Sequence, residues 1–514
     1  MGSCSDSRRQ MRVGMDLGVP GGWAPMVHSV CPHNELSALM MRTLAPTPPM
    51  VSDVLGADVK EMFSIFRRFV RRYDGSKWSN LQTASSYSGR LRRRYMEAWR
   101  SLEDSRSLEW YDFIIKPFLK AEKFNVTAKW PKPRMIFPRS PRYNLRLASW
   151  LKPFEHWLWG RLLGRHLFDT GEGRVVAKGL SPRRRANLIR RKFGALEDCV
   201  VVEVDGKAFE AHVGIDQLRE EHSIYSAAFG GEPALMSLLG HQLRLKGTLS
   251  CGAKFSREGG RASGDFNTGM GNSIIMLCTV GAAMRRLYSG LPWDILVDGD
   301  NALLFVRGCD SHLLESLPGI VEASSGHELA VEKQVRVFEE IRFGQSAPIE
   351  LGQGRGMTMV RDFRKVISNA TASHRWLREP RFATRWLSGV SACELSLARG
   401  VPILQSFSVA LYRRFGGISF PEFPFEDYLA MGSWFASEDD VLEVSEESRL
   451  SFERAFGVSP DVQISMERDL ERRVMESPSP FGPFGVVSLP LADDGQLSPS
   501  QLPPGYPGTE NISF

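Results

Sequence analysis

The sequence predicts an α+β fold, on three observations. A β-branched run, Val200 to Val204, ends at Asp205 and leads into Gly206-Lys207-Ala208-Phe209-Glu210. Farther along, two apolar runs, Ile295 to Val297 and Ala302 to Val306, flank Asp298-Gly299-Asp300-Asn301, which reads as a β-hairpin around an Asp-Gly turn. Between them Ile274 to Leu287 reads as a helix, and Arg355 to about Leu470 as mainly helical. Antiparallel strands packed on helices follow.

A bare Asp-Gly turn is most often a solvated turn, so context decides. Here a strand delivers Asp205 at its end and a hairpin delivers Asp300 in its turn. Two such acids on adjacent strands can hold two divalent cations about 3.5–4 Å apart, the arrangement that serves nucleotidyl transfer. That is the outline of a polymerase palm. The Gly-rich loop Gly259 to Gly271 lies between the acids; it has neither the Gly-Lys-Ser/Thr of a Walker loop nor a dinucleotide-type Gly-x-Gly-x-x-Gly. Thr268 and Asn272 are four apart, so a helix starting near Thr268 puts them on one face, apolar farther on at Met276 and Val280.

Composition sets the bounds. The 514 residues, 42% hydrophobic and 24% charged, suffice for several subdomains around a large core. Net charge +6 and a pI near 8.9 fit a polyanionic partner without identifying one. Cys4, Cys31, Cys199, Cys251, Cys278, Cys309 and Cys393 are scattered singly, with no zinc spacing, so reduced thiols are expected. No window approaches the roughly 18–20 apolar residues of a membrane span; any membrane association is expected to be indirect.

Taken in order, residues 54–73 predict a helix with Met62, Phe63, Phe66, Phe69, Val70 and Tyr73 at helical spacing and Arg67, Arg68, Arg71 and Arg72 away from them. A second basic helix is expected around Arg90 to Trp99. From Lys116 to Arg146 the chain is basic, and Pro131, Pro133, Pro138 and Pro141 exclude a continuous helix, so its cations are expected on extended segments suited to phosphate contact. Ser181-Pro182 predicts an N-cap and first turn for a basic helix from Arg183 to Phe193. Past the hairpin, Leu329 to Ile349 reads as strand-like with a turn at Gly344, and Lys333 there is a surface lysine that could serve as a general acid. From Ser477 onward the Pro/Gly/Ser-rich chain predicts disorder.

Ser263-Gly264, Thr268 and Asn272, with Asp205 upstream and Gly299-Asp300 downstream, resemble motifs B, A and C of viral RNA-dependent RNA polymerases. The stretches KPRMIFPRSPRYN, SGDFNTGMGN, MVRDFRK and LSLARGVPILQSF resemble the tombusvirus-like branch, over about Trp110 to Gly417. Two positions depart from that pattern: Glu210 stands where a second Asp is usual, and Gly299-Asp300-Asn301 where Gly-Asp-Asp is usual. A GDN triplet in this background resembles the ambiguiviruses of fungi.

The resemblance implies a right-hand polymerase: an N-terminal region at 1–100, interleaved fingers and palm at 101–350, a helical thumb at 351–470 and a disordered tail at 471–514. It implies an enzyme extending an RNA 3′ end with nucleoside triphosphates on an RNA template, in the host cytoplasm, at membrane-bound replication complexes with other viral proteins. Asp205 and Asp300 would ligate two Mg²⁺ or Mn²⁺ ions, with Asn301 beside them as a neutral oxygen. Lys120, Lys132 and Arg134 would contact the triphosphate. Glu210, Ser263, Gly264, Thr268 and Asn272 would surround the ribose, whose 2′-hydroxyl separates RNA from DNA precursors. Two alternatives remain: an RNA-binding scaffold whose chemistry has weakened, motivated by Glu210 and Asn301, and a reverse transcriptase, which the Ser-Gly to Asn pattern disfavours.

Overall fold

The β-branched run becomes strand β1 (Cys199–Gly206), and the predicted hairpin becomes β2 (Trp293–Asp298) and β3 (Asn301–Arg307). With β4 (Leu329–Val331) they form an antiparallel sheet in the order β2-β3-β1-β4. This computed structural model describes residues 9–15, 17–128, 130–171, 173–420 and 424–478, with short backbone strands at Val487–Ser488 and Ile512–Ser513. Successive side chains alternate between the faces of the sheet. Val200, Val202 and Val204 join Ala302, Leu304, Val306, Ile295 and Val297 in the largest core, whereas Val201, Leu296, Leu303 and Phe305 pack with Ile189, Phe343, Met357 and Met359. Both faces are covered, which is why these runs read as almost unbroken apolar sequence.

Five helices frame the sheet: α1 (Asp53–Val70), α2 (Pro182–Gly194), α3 (Ile215–Ala228), α4 (Thr268–Leu287) and α5 (Leu317–Ser325). Helix α1 packs on α3, α4 and α5 through the predicted apolar stripe, and Ser52 caps it by accepting from the Leu55 N–H at 3.2 Å. Its basic face is not wholly solvated, because Arg67 pairs with Glu220. Helix α2 starts as expected, with Ser181 Oγ accepting from the Arg184 N–H at 3.3 Å and Pro182 in the first turn. It is no free basic face either: Lys192 is buried against Asp294 at 2.7 Å. Helix α4 starts at Thr268, but from Met270 to Met284 every residue is buried, so it is central rather than amphipathic. Thr279 lies inside it by donating to the Ile275 carbonyl at 2.8 Å.

Two expectations need correction. The 116–146 stretch is extended only up to its last proline: Pro141 opens a helix (Pro141–Arg161) capped by Ser140, which puts Arg142 and Arg146 on a helix. Of Leu329 to Ile349, only Leu329–Val331 and Ser346–Glu350 are strand, separated by a 3₁₀ turn at Phe338–Glu340. Gly344 takes φ +57 at the expected turn, and Lys333 is exposed.

The C-terminal helices Phe363–Ala370, Pro380–Ala398, Leu404–Phe415, Glu446–Phe456 and Pro460–Glu476 share a second core around Phe363, Leu387, Phe407 and Phe452. The last helix runs to Glu476, past the expected limit at 470, because Leu470 and Val474 are buried in that core. Of the tail expected to be disordered, 479–486, 489–511 and 514 lie outside the described residues, as does Cys4. The six described cysteines form no disulfide, and no helix among the described residues is long and apolar enough to cross a membrane.

Candidate active site

Register brings the acids together. Asp205 lies directly opposite Asn301 across β1 and β3, and the Gly206 N–H donates to the Asp300 carbonyl at 3.0 Å. Gly299 takes φ +66 at the first central position of the two-residue turn, a conformation that favours glycine and suits the twist of a tight hairpin. The turn is also held from below: the Gly299 N–H donates to Ser273 Oγ at 3.0 Å, and that hydroxyl donates to the Gly269 carbonyl at 2.8 Å. Ser273 escapes a sequence reading because it looks like one more small residue in an apolar helix.

Burial, and after it the charge of Asp300, pushes the Asp205 carboxyl up to about 6. Burial and Glu210 raise that of Asp300. Two residues before Asp205 on the same face, Glu203 is pushed up to about 7 by burial despite the Gly344 N–H donating to it at 3.2 Å; sequence reading had it only as part of a strand. These carboxylates are short of positive charge. Among the described residues no three His, Cys, Asp or Glu side chains form a metal-binding group. Two hard carboxylate donors nevertheless fit a divalent cation whose remaining coordination comes from water and substrate phosphate, the habit of Mg²⁺.

A basic hairpin approaches from the other side. Leu119 pairs with Met135, and the Lys120 N–H donates to the Arg134 carbonyl at 2.8 Å. Arg134 Nη2 lies 3.1 Å from Glu210 Oε1 and Nη1 3.4 Å from Glu122, which also takes Lys120 Nζ at 2.6 Å. Lys132 is exposed to solvent. Burial works against the Glu210 charge, but Arg134 and Arg42 outweigh it and hold the carboxyl below its usual range. Arg42 comes from the helical turn Leu39–Thr43, close enough for Arg134, Glu210, Glu122 and Asp300 to act on it. Sequence reading missed it, since one arginine in an apolar stretch carries no signal.

The loop before α4 is pinned by buried ion pairs. Arg261 donates to Asn272 Oδ1 at 2.9 Å and pairs with the fully buried Glu221, which also accepts from Tyr225 Oη at 2.6 Å and Asn267 Nδ2 at 3.0 Å. The Asn272 carbonyl is thereby occupied and its amide NH₂ is left to donate. Thr268 Oγ1 lies 2.9 Å from the Asp265 carbonyl and 3.1 Å from that of Ala262, so its proton stays within the loop; Ser263 Oγ reaches the Met135 carbonyl at 3.4 Å. Arg139 pairs with buried Asp265, and Arg142 Nε lies 3.0 Å from Asp112. Two cations of the basic stretch therefore brace the loop and the helix instead of facing phosphate.

Gly264 is where this loop touches the hairpin: a Cβ there would lie 2.7 Å from Pro138 Cα and N. Gly264→Ala is expected to push loop and hairpin apart, lowering the melting temperature by a few degrees and weakening nucleotide binding about tenfold or more, checked by thermal melting and by titration with a labelled nucleotide.

Paired acids on an antiparallel sheet, faced by a basic hairpin and a braced glycine loop, define a palm-type polymerase site. Residues 19–477 match the family described as viral RNA dependent RNA polymerase. The chain belongs to that family. It is 33% identical over 438 residues to the RNA-directed RNA polymerase of Turnip crinkle virus, covering 83% of this chain and 54% of that protein. With the RNA-directed RNA polymerase of Carnation mottle virus it shares 34% over 423 residues (80% and 53%), and with that of Tobacco necrosis virus (strain A) 30% over 465 residues (88% and 62%). The resemblance to the tombusvirus-like branch is borne out. The chain spans about half the length of the first two of these relatives.

Proposed function

We propose that this chain carries RNA-directed RNA polymerase activity, adding nucleoside triphosphates to an RNA 3′ end in the replication of a positive-strand RNA virus. Its partners are then template and product RNA, nucleoside triphosphates and other replication proteins, in the host cytoplasm at membrane-bound complexes. We read residues 101–350 as fingers and palm and the helical region after 351 as thumb, with 1–100 packed against them. The GDN triplet supports a place near the ambiguivirus-like members.

Asp205 and Asp300 would hold two divalent cations, Mg²⁺ or Mn²⁺; when bound, these supply Lewis-acid activation of the attacking hydroxyl and charge neutralisation at the phosphates. Arg134, with Lys120 and Lys132, orients the triphosphate through charge-assisted hydrogen bonds, releasing Glu210 as it does so. Glu210, Ser263, Thr268 and the free amide of Asn272 face the ribose, and the missing side chain of Gly264 lets loop and hairpin close together. Asn301 contributes a neutral oxygen, leaving the site one negative charge short. The observation that carries this reading is the placement of Asp205 opposite Asn301 with Asp300 in the adjoining turn, beneath Arg134 and Arg42. The test is template-dependent incorporation of labelled NTPs on a short RNA, in Mg²⁺ and in Mn²⁺. RNA binding with no incorporation in either metal would favour the scaffold, and a DNA product from dNTPs the reverse transcriptase.

Two variants probe the roles separately. Asn272→Ala is expected to lower the preference for NTP over dNTP about tenfold with template binding unchanged, read from the ratio of kcat/KM values; an unchanged ratio removes Asn272 from ribose selection. Asn301→Asp restores a carboxylate, so Mg²⁺ should gain relative to Mn²⁺ by about threefold or more in incorporation and stabilise the protein at lower concentration in a melting assay.

A further inference from the structure

A cavity of about 430 Å³ opens on the N-terminal half, and none of its lining residues belongs to the site described above. Three cations line it, Lys77, Arg106 and Arg146, and no carboxylate does. Among the described residues none of the three has an ion-pair partner. Arg106 ends the helix Gly89–Ser105 in the left-handed conformation at φ 59, uncommon outside glycine, and its carbonyl accepts from Arg146 Nη2 at 2.7 Å. The two guanidinium-bearing residues are thus tied together despite their like charge. Arg146 Nε is buried with no hydrogen-bond partner. The remaining wall is aromatic: Lys77 Nζ sits 4.0 Å from the Trp150 ring centroid, and Trp78 and Phe113 line the cavity beside it.

Three uncompensated cations converging on a concavity repel one another until an anion enters. An anion alone needs no aromatic wall, and a flat acidic surface needs no cavity. A nucleotide uses both, with its phosphate among the guanidinium and ammonium donors and its base against an aromatic ring. Lys77 already covers the Trp150 face, so Trp78 and Phe113 remain for the base. We propose that this cavity is a second nucleotide site, which takes one phosphate–base unit of single-stranded RNA outside the catalytic centre. A free nucleotide shares the chemistry, and the test separates the two sources.

Lys77 and Arg106 are exposed, so Lys77→Gln/Arg106→Gln removes two cations without opening the core; an unchanged melting temperature would verify this. Binding of a fluorescein-labelled uridylate octamer and of a fluorescent ATP analogue is measured by anisotropy over a range of salt, in the full chain. A 4-thiouridine octamer is crosslinked in parallel and the adducts mapped by mass spectrometry. Expected are octamer binding about tenfold weaker in the double variant, a salt slope lower by roughly 1.4 at about 0.7 per lost phosphate contact, and wild-type adducts at Trp78 or Phe113 that the variant loses. Weakening confined to the ATP analogue supports the site with a free nucleotide as its source and overturns the RNA assignment. Affinities within twofold for both probes, with no adduct on these segments, overturn the proposal. Neither readout needs catalysis, so the result stands whether or not the chain synthesises RNA.

Discussion

Asp300→Ala is expected to lower NTP incorporation by about 10³-fold or more, roughly 4 kcal/mol of transition-state stabilisation, while the folded protein becomes slightly more stable. The second half is the sharper test. Burial and then Asp300 raise the Asp205 carboxyl to about 6, so the native chain without cations binds that proton more tightly than the unfolded chain, in which Asp titrates near 4. Native-state stability therefore falls as pH rises from about 4 to about 6, and the full penalty is present above 6. Removing Asp300 takes away the main charged neighbour, so the gain should appear above pH 6 and fade below pH 4. Asp205 faces solvent, so the shift will be small, about 1–3 °C in melts run with chelator. A variant that loses synthesis and also melts lower at pH 7 would mean that Asp300 holds the turn together rather than repelling its neighbour.

Arg261→Met should destabilise the fold by about 3–5 kcal/mol, because it leaves the fully buried Glu221 carboxylate with only Tyr225 and Asn267 as donors. Denaturant titration of Arg261→Met, Glu221→Gln and the double variant measures the coupling: the double variant should recover at least half of the loss, since no unpaired charge is then buried. Arg261 also orients Asn272, so any folded Arg261→Met protein should discriminate NTP from dNTP less well, in the same direction as Asn272→Ala. If stability falls by less than about 1 kcal/mol, Glu221 is not held as a charge in this core.

How much of this was legible in the sequence follows from distance along the chain. Strand β1, the hairpin, the start of α4 at Thr268 and the apolar stripe of α1 were readable because each is a local pattern: period 2 with β-branched residues, an Asp-Gly turn, or period 3.6. The same holds for Ser181 and Pro182 at the head of α2. Strand β4 was read too long and the basic stretch too extended, because their ends are set by what they pack on. Met135 pairs with Leu119, and Pro141 opens a helix whose far side buries Tyr143 and Leu147.

By itself the sequence determined the class: α+β, two acids delivered by adjacent strands, a glycine loop between them and a basic stretch ahead. Tertiary structure alone decided which charges serve the site and which serve the fold. Lys120, Arg134, Arg139 and Arg142 are alike as letters, yet Arg134 reaches Glu210, Arg139 disappears against Asp265 and Arg142 against Asp112. Arg42 and Ser273 enter for the same reason, brought in by folding from stretches with no polar pattern of their own. A charge acts through a few ångströms of low-dielectric interior, and the neighbour it meets there lies far off along the chain, where no local pattern records it.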